Sequence, residues 1–415
     1  MNEARESSRP AILAAEAGDS MRRLHWRDWI LLPGLGLLTI ALLIGSSEVI
    51  ARRMFRESSS RAIDCMVLSD ASTGVRAIPN SACSEKLAED RSPIEYRFNA
   101  CGHRAGVDCG PKPSGSYRIV MVGSSFAMGL EAAREKTFAA TLPAQLSRRT
   151  GRRIELYNEA MESGFPRSVD LRFNEVLAAS PDMILWILTP FDIKKVSSLL
   201  PDQPTSRGSF LARNWSRTKT AFSTESAPEA FRELWQRVTD AFVETRTAFM
   251  LRHFLFQSQS QYVRSYLMDG DDESGFLKAE LSGLWLSRIQ EFTGYAADIE
   301  RRSATAGIPL VAVMLPNRAQ AAMISMGAWP AGLDPYRLDH EVRSVIVSHG
   351  ETYADILPAF GDVPNPERGY FAVDGHPNER GHAVLSTMLA DKLDKEVFNA
   401  PSDRGEPDPA QRAGR

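Results

Sequence analysis

The stretch Tyr117-Arg-Ile-Val-Met-Val-Gly-Ser-Ser-Phe-Ala-Met-Gly129 decides the fold. Its first six residues form a short apolar run bounded by turn signals, the pattern of a strand buried on both faces. Gly123 ends the run, and two serines lead into a helical pattern. Comparable runs occur at Arg153–Tyr157, ending at Asn158, and at Met183–Leu188, ending at Thr189-Pro190. Leu310–Leu315 ends at Pro316, and Thr352–Asp355 is a weaker fifth run. Between them lie helical patterns over roughly 134–149, 166–179, 284–305, 335–349 and 378–395. Strands alternating with helices predict an α/β, three-layer αβα sandwich around a mainly parallel sheet of about five strands. In such sheets functional groups gather beyond the carboxyl ends of the strands.

Outward from this sheet, the 415 residues divide unevenly. Trp29 to Ser47 is 19 residues without a charge, bounded by Asp28 and Glu48. That length just spans a hydrocarbon core, and no small-residue cleavage pattern follows it. The reading is a retained transmembrane anchor over 28–50, with a cytoplasmic tail at 1–27. Lys and Arg counts on the two sides of the span balance, so orientation comes from the cysteines. Cys65, Cys83, Cys101 and Cys109 are the only four, and all fall in a stem at 51–110. An even cluster predicts two disulfides in an oxidising compartment, with Cys65–Cys83 and Cys101–Cys109 as the preferred pairing. Zinc is the alternative, but no Cys-x-x-Cys pair is present.

The folded domain is expected at 111–398, with a helical insertion at 195–283 and a disordered tail at 399–415. The insertion's clearest pattern is Phe231, Leu234, Val238, Phe242 and Phe249 at helical spacing, read as packing on the core, with a lid or partner surface as the alternative. Net charge is −3, from 49 basic and 52 acidic residues, which gives no bulk electrostatic grip on nucleic acid. Oligomeric state leaves no trace in the sequence.

Three loops carry chemistry. After the first strand, Gly123-Ser124-Ser125-Phe126 puts a hydroxyl at a helix start, where it either acts chemically or caps the helix. After the second, Asn158-Glu-Ala-Met-Glu-Ser-Gly164 brings the Ala160 N–H toward the same cleft. Near the C-terminus comes Asp374-Gly-His376-Pro-Asn378-Glu-Arg-Gly381-His382. Of seven histidines, only His376 has a carboxylate two residues away in a loop that enters a helix. Such a carboxylate can fix the tautomer of an imidazole base. The competing reading makes Asp374 a helix cap and His376 a surface residue. His382 lies inside the helix and reads as structural, while His25, His103, His253, His340 and His349 have no comparable setting.

Taken together, these loops resemble the SGNH (GDSL-like) hydrolase family of esterases and acyltransferases, in its membrane-anchored periplasmic bacterial form. The family's Gly-Asp-Ser-Phe corresponds to Gly123-Ser124-Ser125-Phe126, with Gly129 in place. Its closing block corresponds to Asp374-Gly-His376-Pro-Asn378-x-x-Gly381-His382. Tyr96-x-x-Asn99-x-x-Gly102-x-Arg104 is similar to the lead-in before the catalytic domain. The resemblance covers about 94–398, apart from the insertion. It implies a flavodoxin-like SGNH fold with Ser125 as nucleophile, His376 as base and Asp374 behind it. Backbone N–H groups of Ser125 and Ala160 would hold the oxyanion, and no cofactor or metal is required.

Three departures stand out. Ser124 replaces the family's Asp, Ala160 its oxyanion glycine, and Phe191, in Thr189-Pro190-Phe191-Asp192, its third-block Asn. Losing one oxyanion donor typically costs about 10²–10³ in rate. The resemblance therefore implies a single-pass bacterial inner-membrane enzyme facing the periplasm. It would act on acyl esters, with O-acetyl groups of envelope or exported glycans as the expected substrate. The alternatives are an O-acyltransferase using the same triad, and a degenerate domain that binds a glycan or assembly partner without catalysis.

Overall fold

The computed structural model describes residues 28–67, 74–90, 92–199, 237 and 241–399. The tail at 1–27, nearly all of that at 399–415, and Phe231, Leu234 and Val238 of the insertion pattern lie outside the described residues. The chain divides into two compact units, Met1–Ala51 and Arg52–Arg415. The apolar run forms one helix, α1 (Asp28–Met54). Its Trp29–Met54 portion is long and apolar enough to cross a membrane, containing an 18-residue stretch with a mean hydropathy of 2.0.

The second unit begins with two small antiparallel hairpins. β1 (Met66–Val67) pairs with β2 (Arg76–Ala77), and β3 (Ala82–Glu85) with β4 (Ile94–Arg97). Cys65 is bonded to Cys83 and Cys101 to Cys109, each pair with Cα atoms 5.9 Å apart. Ala62, Cys65, Tyr96 and Phe98 join the same apolar core as the central sheet, so this segment is built into the domain.

The sheet contains β5 (Ser116–Val122), β6 (Arg153–Asn158), β7 (Met183–Leu188), β8 (Leu310–Met314) and β9 (Thr352–Tyr353). Their spatial order is β6-β5-β7-β8-β9, with every pairing parallel. β7 and β8 are buried along their whole length, as both faces of a covered parallel sheet require. The α/β sandwich with a parallel five-stranded sheet is therefore as expected, strand for strand.

Helices α2 (Ser125–Met128), α3 (Phe138–Thr150), α4 (Pro166–Ala178) and α5 (Pro190–Lys194) follow the first three sheet strands. α3 starts where the Thr137 hydroxyl caps the Ala140 N–H and stops at Gly151, whose φ of +69° suits glycine. It buries Phe138, Leu142 and Leu146 at intervals of four. The insertion supplies α6 (Arg246–Leu255) and α7 (Gln259–Leu267). The expected pattern through Phe242 and Phe249 is interrupted at Thr245, which caps α6 through the Ala248 N–H. Phe256, Tyr262, Val263 and Tyr266 then pack into the core.

α8 (Gly283–Ala306), α9 (Arg318–Met326), α10 (Arg337–Ser348) and α11 (Glu379–Leu393) complete the fold. α3 packs with α11, and α8 packs with both α4 and α10. α9 is not among the helices expected from sequence. It buries Arg318 and Gln320 beside Ala319, Ala322 and Met323, so its hydrophobic stripe is blurred.

Candidate active site

Ser125 opens α2 directly after β5, with Ser124 at the N-cap position. The turn needs Gly123 because its φ is +147° and a Cβ there would collide with the Ile187 carbonyl. Gly164 packs as closely on the other side, where a Cβ would strike the Gly123 carbonyl. The loop after β6 and the end of β7 thus close on the serine turn through backbone contact.

His376 arrives from the loop before α11. Its Nε2 lies 2.8 Å from Ser125 Oγ. Its Nδ1 is hydrogen-bonded to Asp374 Oδ1, which also accepts the His376 backbone N–H at 3.2 Å. An ionised carboxylate only accepts, so the ring proton sits on Nδ1 and Nε2 is left to receive the serine proton. The three residues expected from sequence are therefore brought together over a sequence separation of 251. Phe126 lies beside the imidazole, ring centroids 5.1 Å apart.

The Ala160 N–H, expected to face the cleft, donates to Asn158 Oδ1 at 3.1 Å within its own loop, and the residue is fully buried. Asn158 in turn donates to the Ala127 carbonyl at 3.0 Å, tying the loop to α2. Asp192, the last residue of the altered third block, is buried and accepts the Thr189 hydroxyl at 2.5 Å. Burial pushes its carboxyl up to about 6, and the Thr189 and Ser124 hydroxyls oppose that shift. Phe191 is 36% exposed and meets Phe165 edge-on, centroids 5.7 Å apart.

Glu131 is a residue the sequence reading missed. Its buried carboxylate comes within 3.7 Å of His376 Nδ1. Ligand atoms of Glu131, Asp374 and His376 all lie within 4.8 Å of one another, a spacing that could hold a metal ion. The imidazole Nδ1 in this set already bonds to Asp374, so an ion would have to displace that proton. No feature of Gly-Leu-Glu-Ala distinguishes Glu131 in sequence.

The lead-in motif also acquires a role. Arg104 donates to the carbonyls of Met128, Gly129 and Ala132 at 3.0, 2.5 and 2.8 Å, clamping the turn after α2. Burial lowers its pKa to about 10. The Tyr96 hydroxyl accepts the Glu131 N–H at 3.0 Å, and Arg104 lies 4.4 Å over the Tyr96 ring. Asn99 Oδ1 accepts the N–H groups of Cys101 and His103, which shapes the approach to Arg104. His382 is fully buried, its Nδ1 facing the Phe138 N–H at 3.4 Å, and burial drives its pKa down to about 3. A neutral core histidine is the consequence.

No family model matches this chain, and no curated protein matches it. Solved structures do show likeness. One, from Desulfitobacterium hafniense DCB-2, is described as lipolytic and of the G-D-S-L family. It is 12% identical, with 66% of this chain and 99% of that one covered and a TM-score of 0.33. TesA is 11% identical, with 67% and 98% covered and a TM-score of 0.34. A third, described as an acylhydrolase from Bacteroides fragilis NCTC 9343, is 10% identical, with 69% and 92% covered and a TM-score of 0.34. With values this low, the functional reading depends on the residues and distances above.

Proposed function

We propose that this chain is a serine-dependent enzyme acting on acyl esters, held to a membrane by α1 with its second unit on the oxidising, periplasmic side. The observation that carries the proposal is the continuous contact from Ser125 Oγ through the imidazole of His376 to Asp374. The two disulfides support the compartment.

Ser125 Oγ bonds to the ester carbonyl carbon while its proton passes to His376 Nε2. The carbonyl electron pair moves onto oxygen, where the Ser125 N–H is the available donor of the expected two. Collapse of that intermediate breaks the ester bond, and the departing alkoxide takes the proton from Nε2. Water then repeats the sequence: its proton goes to Nε2, its oxygen bonds to the acyl carbon, and Ser125 leaves with the proton. Asp374 balances the imidazolium in both halves. In the transferase alternative a sugar hydroxyl replaces water, with O-acetyl glycans as the proposed substrates. A non-catalytic glycan-binding reading draws on the exposed Phe191 ring.

The test is fluorophosphonate labelling of the full chain in detergent, with Ser125→Ala and His376→Ala alongside. Wild type should label and Ser125→Ala should not. Labelling that persists in Ser125→Ala removes the nucleophile. A wild type that neither labels nor hydrolyses an aryl acetate favours the binding reading.

A further inference from the structure

Glu89 lies in the disulfide-bearing segment, far from either end motif, yet its buried carboxylate reaches the loop that carries Asp374. Oε1 accepts the Ala372 N–H at 2.9 Å. Oε2 accepts the N–H groups of Val373 and Asp374 at 2.8 and 2.9 Å. Three consecutive backbone donors thus converge on one side chain, a concavity of the kind that backbone amides offer to anions. His253 of α6 completes the shell, its Nδ1 2.8 Å from Oε1.

The opposite side of the loop is held as well. Buried Arg318 donates to the Ala372 and Phe256 carbonyls and lies 3.9 Å over the Tyr262 ring. Within the loop, the Phe371 N–H donates to the His376 carbonyl at 2.9 Å and the Gly375 N–H to the Phe371 carbonyl at 3.2 Å. Those bonds close the turn but leave the peptide planes of 372–374 to be oriented from outside. Rotation of these planes would swing the Asp374 side chain away from His376 Nδ1, because Asp374 is itself one of the three donors.

We infer that Glu89 is a positioning residue for the Asp374–His376 pair: its carboxylate fixes the backbone from which Asp374 reaches the imidazole. The inference rests on the proposed triad and extends it. Catalysis then depends on the segment preceding the lead-in motif, which contributes no atom to the reacting groups. Gln at position 89 keeps the size but has a single oxygen, and it turns an NH₂ toward backbone N–H groups, so at least one of the three donors loses its acceptor.

The experiment compares wild type, Glu89→Gln, Glu89→Asp and His253→Ala in the full chain, with rates normalised to the folded fraction from thermal melts. Glu89→Gln should lower kcat on an aryl acetate about 10–10²-fold with KM within about twofold, the scale of a misplaced catalytic group. Glu89→Asp should recover part of the loss, and His253→Ala should cost less than about threefold. A second readout does not need turnover: the downfield Nδ1–H resonance of His376, assigned by its loss in Asp374→Asn, should disappear or move upfield in Glu89→Gln. An unchanged resonance with an unchanged rate per folded molecule overturns the inference, as does His253→Ala matching Glu89→Gln. If wild type never turns over or labels, the proposed function fails, and the resonance alone still decides the role of Glu89.

Discussion

Replacing Asp374 with Asn tests the carboxylate proposed to stand behind His376 while keeping its shape. Asp374 Oδ1 serves both the imidazole Nδ1 and the His376 backbone N–H, and Asn has one oxygen for the two. The substitution also removes the negative charge that, in the proposed mechanism, balances the imidazolium formed when Ser125 gives up its proton. In serine hydrolases with a single carboxylate behind the histidine, such a change costs about 10⁴ in kcat. Here a second carboxylate, Glu131, stands 3.7 Å from the same nitrogen. A unit charge pair at that distance is worth roughly 4 kcal/mol at an effective dielectric of 20, before desolvation is counted. Part of the lost balance therefore remains. We expect kcat on an aryl acetate to fall about 10³-fold, close to 4 kcal/mol, with KM little changed. The double variant Asp374→Asn, Glu131→Gln should fall by about a further factor of ten, toward the single-carboxylate limit. Steady-state kinetics on the four proteins of this cycle decide the matter. Asp374→Asn within tenfold of wild type refutes the role of Asp374. No extra loss in the double variant refutes the compensation by Glu131.

Other consequences follow from burial and covalent geometry. Burial raises Asp269 to about 8 and Asp339 to about 7. Each keeps its proton in the folded chain where the unfolded chain has lost it, so the stability these two groups contribute is complete below about pH 4 and is lost as pH rises toward 7 and 8. Melts from pH 5 to 8.5 should show the second unit weakening, with Asp269→Asn flattening the slope; a midpoint that rises with pH contradicts this. The disulfides close loops with sequence separations of 18 and 8 residues, worth about 3 kcal/mol each. Reduction should lower the denaturant midpoint accordingly, and no change on reduction would show that the thiols are unpaired. Gly164→Ala drives a methyl into the Gly123 carbonyl and should cut activity about 10²-fold through displacement of the serine turn. A near-normal rate would mean the turn tolerates movement.

The sheet was legible because its strands are buried on both faces and so read as unbroken apolar runs ending in Gly, Asn or Pro. The catalytic candidates were legible because each sits where a strand or loop meets a helix, at a spacing that limits what the side chains can do. Other features were hidden for different reasons. α9 buries Arg318 and Gln320 through hydrogen bonds to carbonyls, which removes the apolar periodicity that marks a helix. The Ala160 assignment followed the loop's place in sequence, but a side chain two residues earlier takes that N–H. Sequence position does not report which backbone donors are spent.

The carboxylates explain why the reading stopped where it did. Glu89, Glu131 and Asp374 meet around one loop and one imidazole, although they stand before the first sheet strand, after it, and at the end of the sheet. Only Asp374 has its partner two residues away, so only Asp374 could be recognised. Glu131 reaches the imidazole because the turn after α2 is pinned by Arg104 and Tyr96, and Glu89 reaches the loop because the disulfide-bearing segment packs into the core. Both therefore depend on residues with no chemistry of their own. If Arg104→Met weakens activity mainly by loosening the 128–132 turn, its effect should shrink in a Glu131→Gln background. Additive losses would mean that Arg104 and Glu131 act separately.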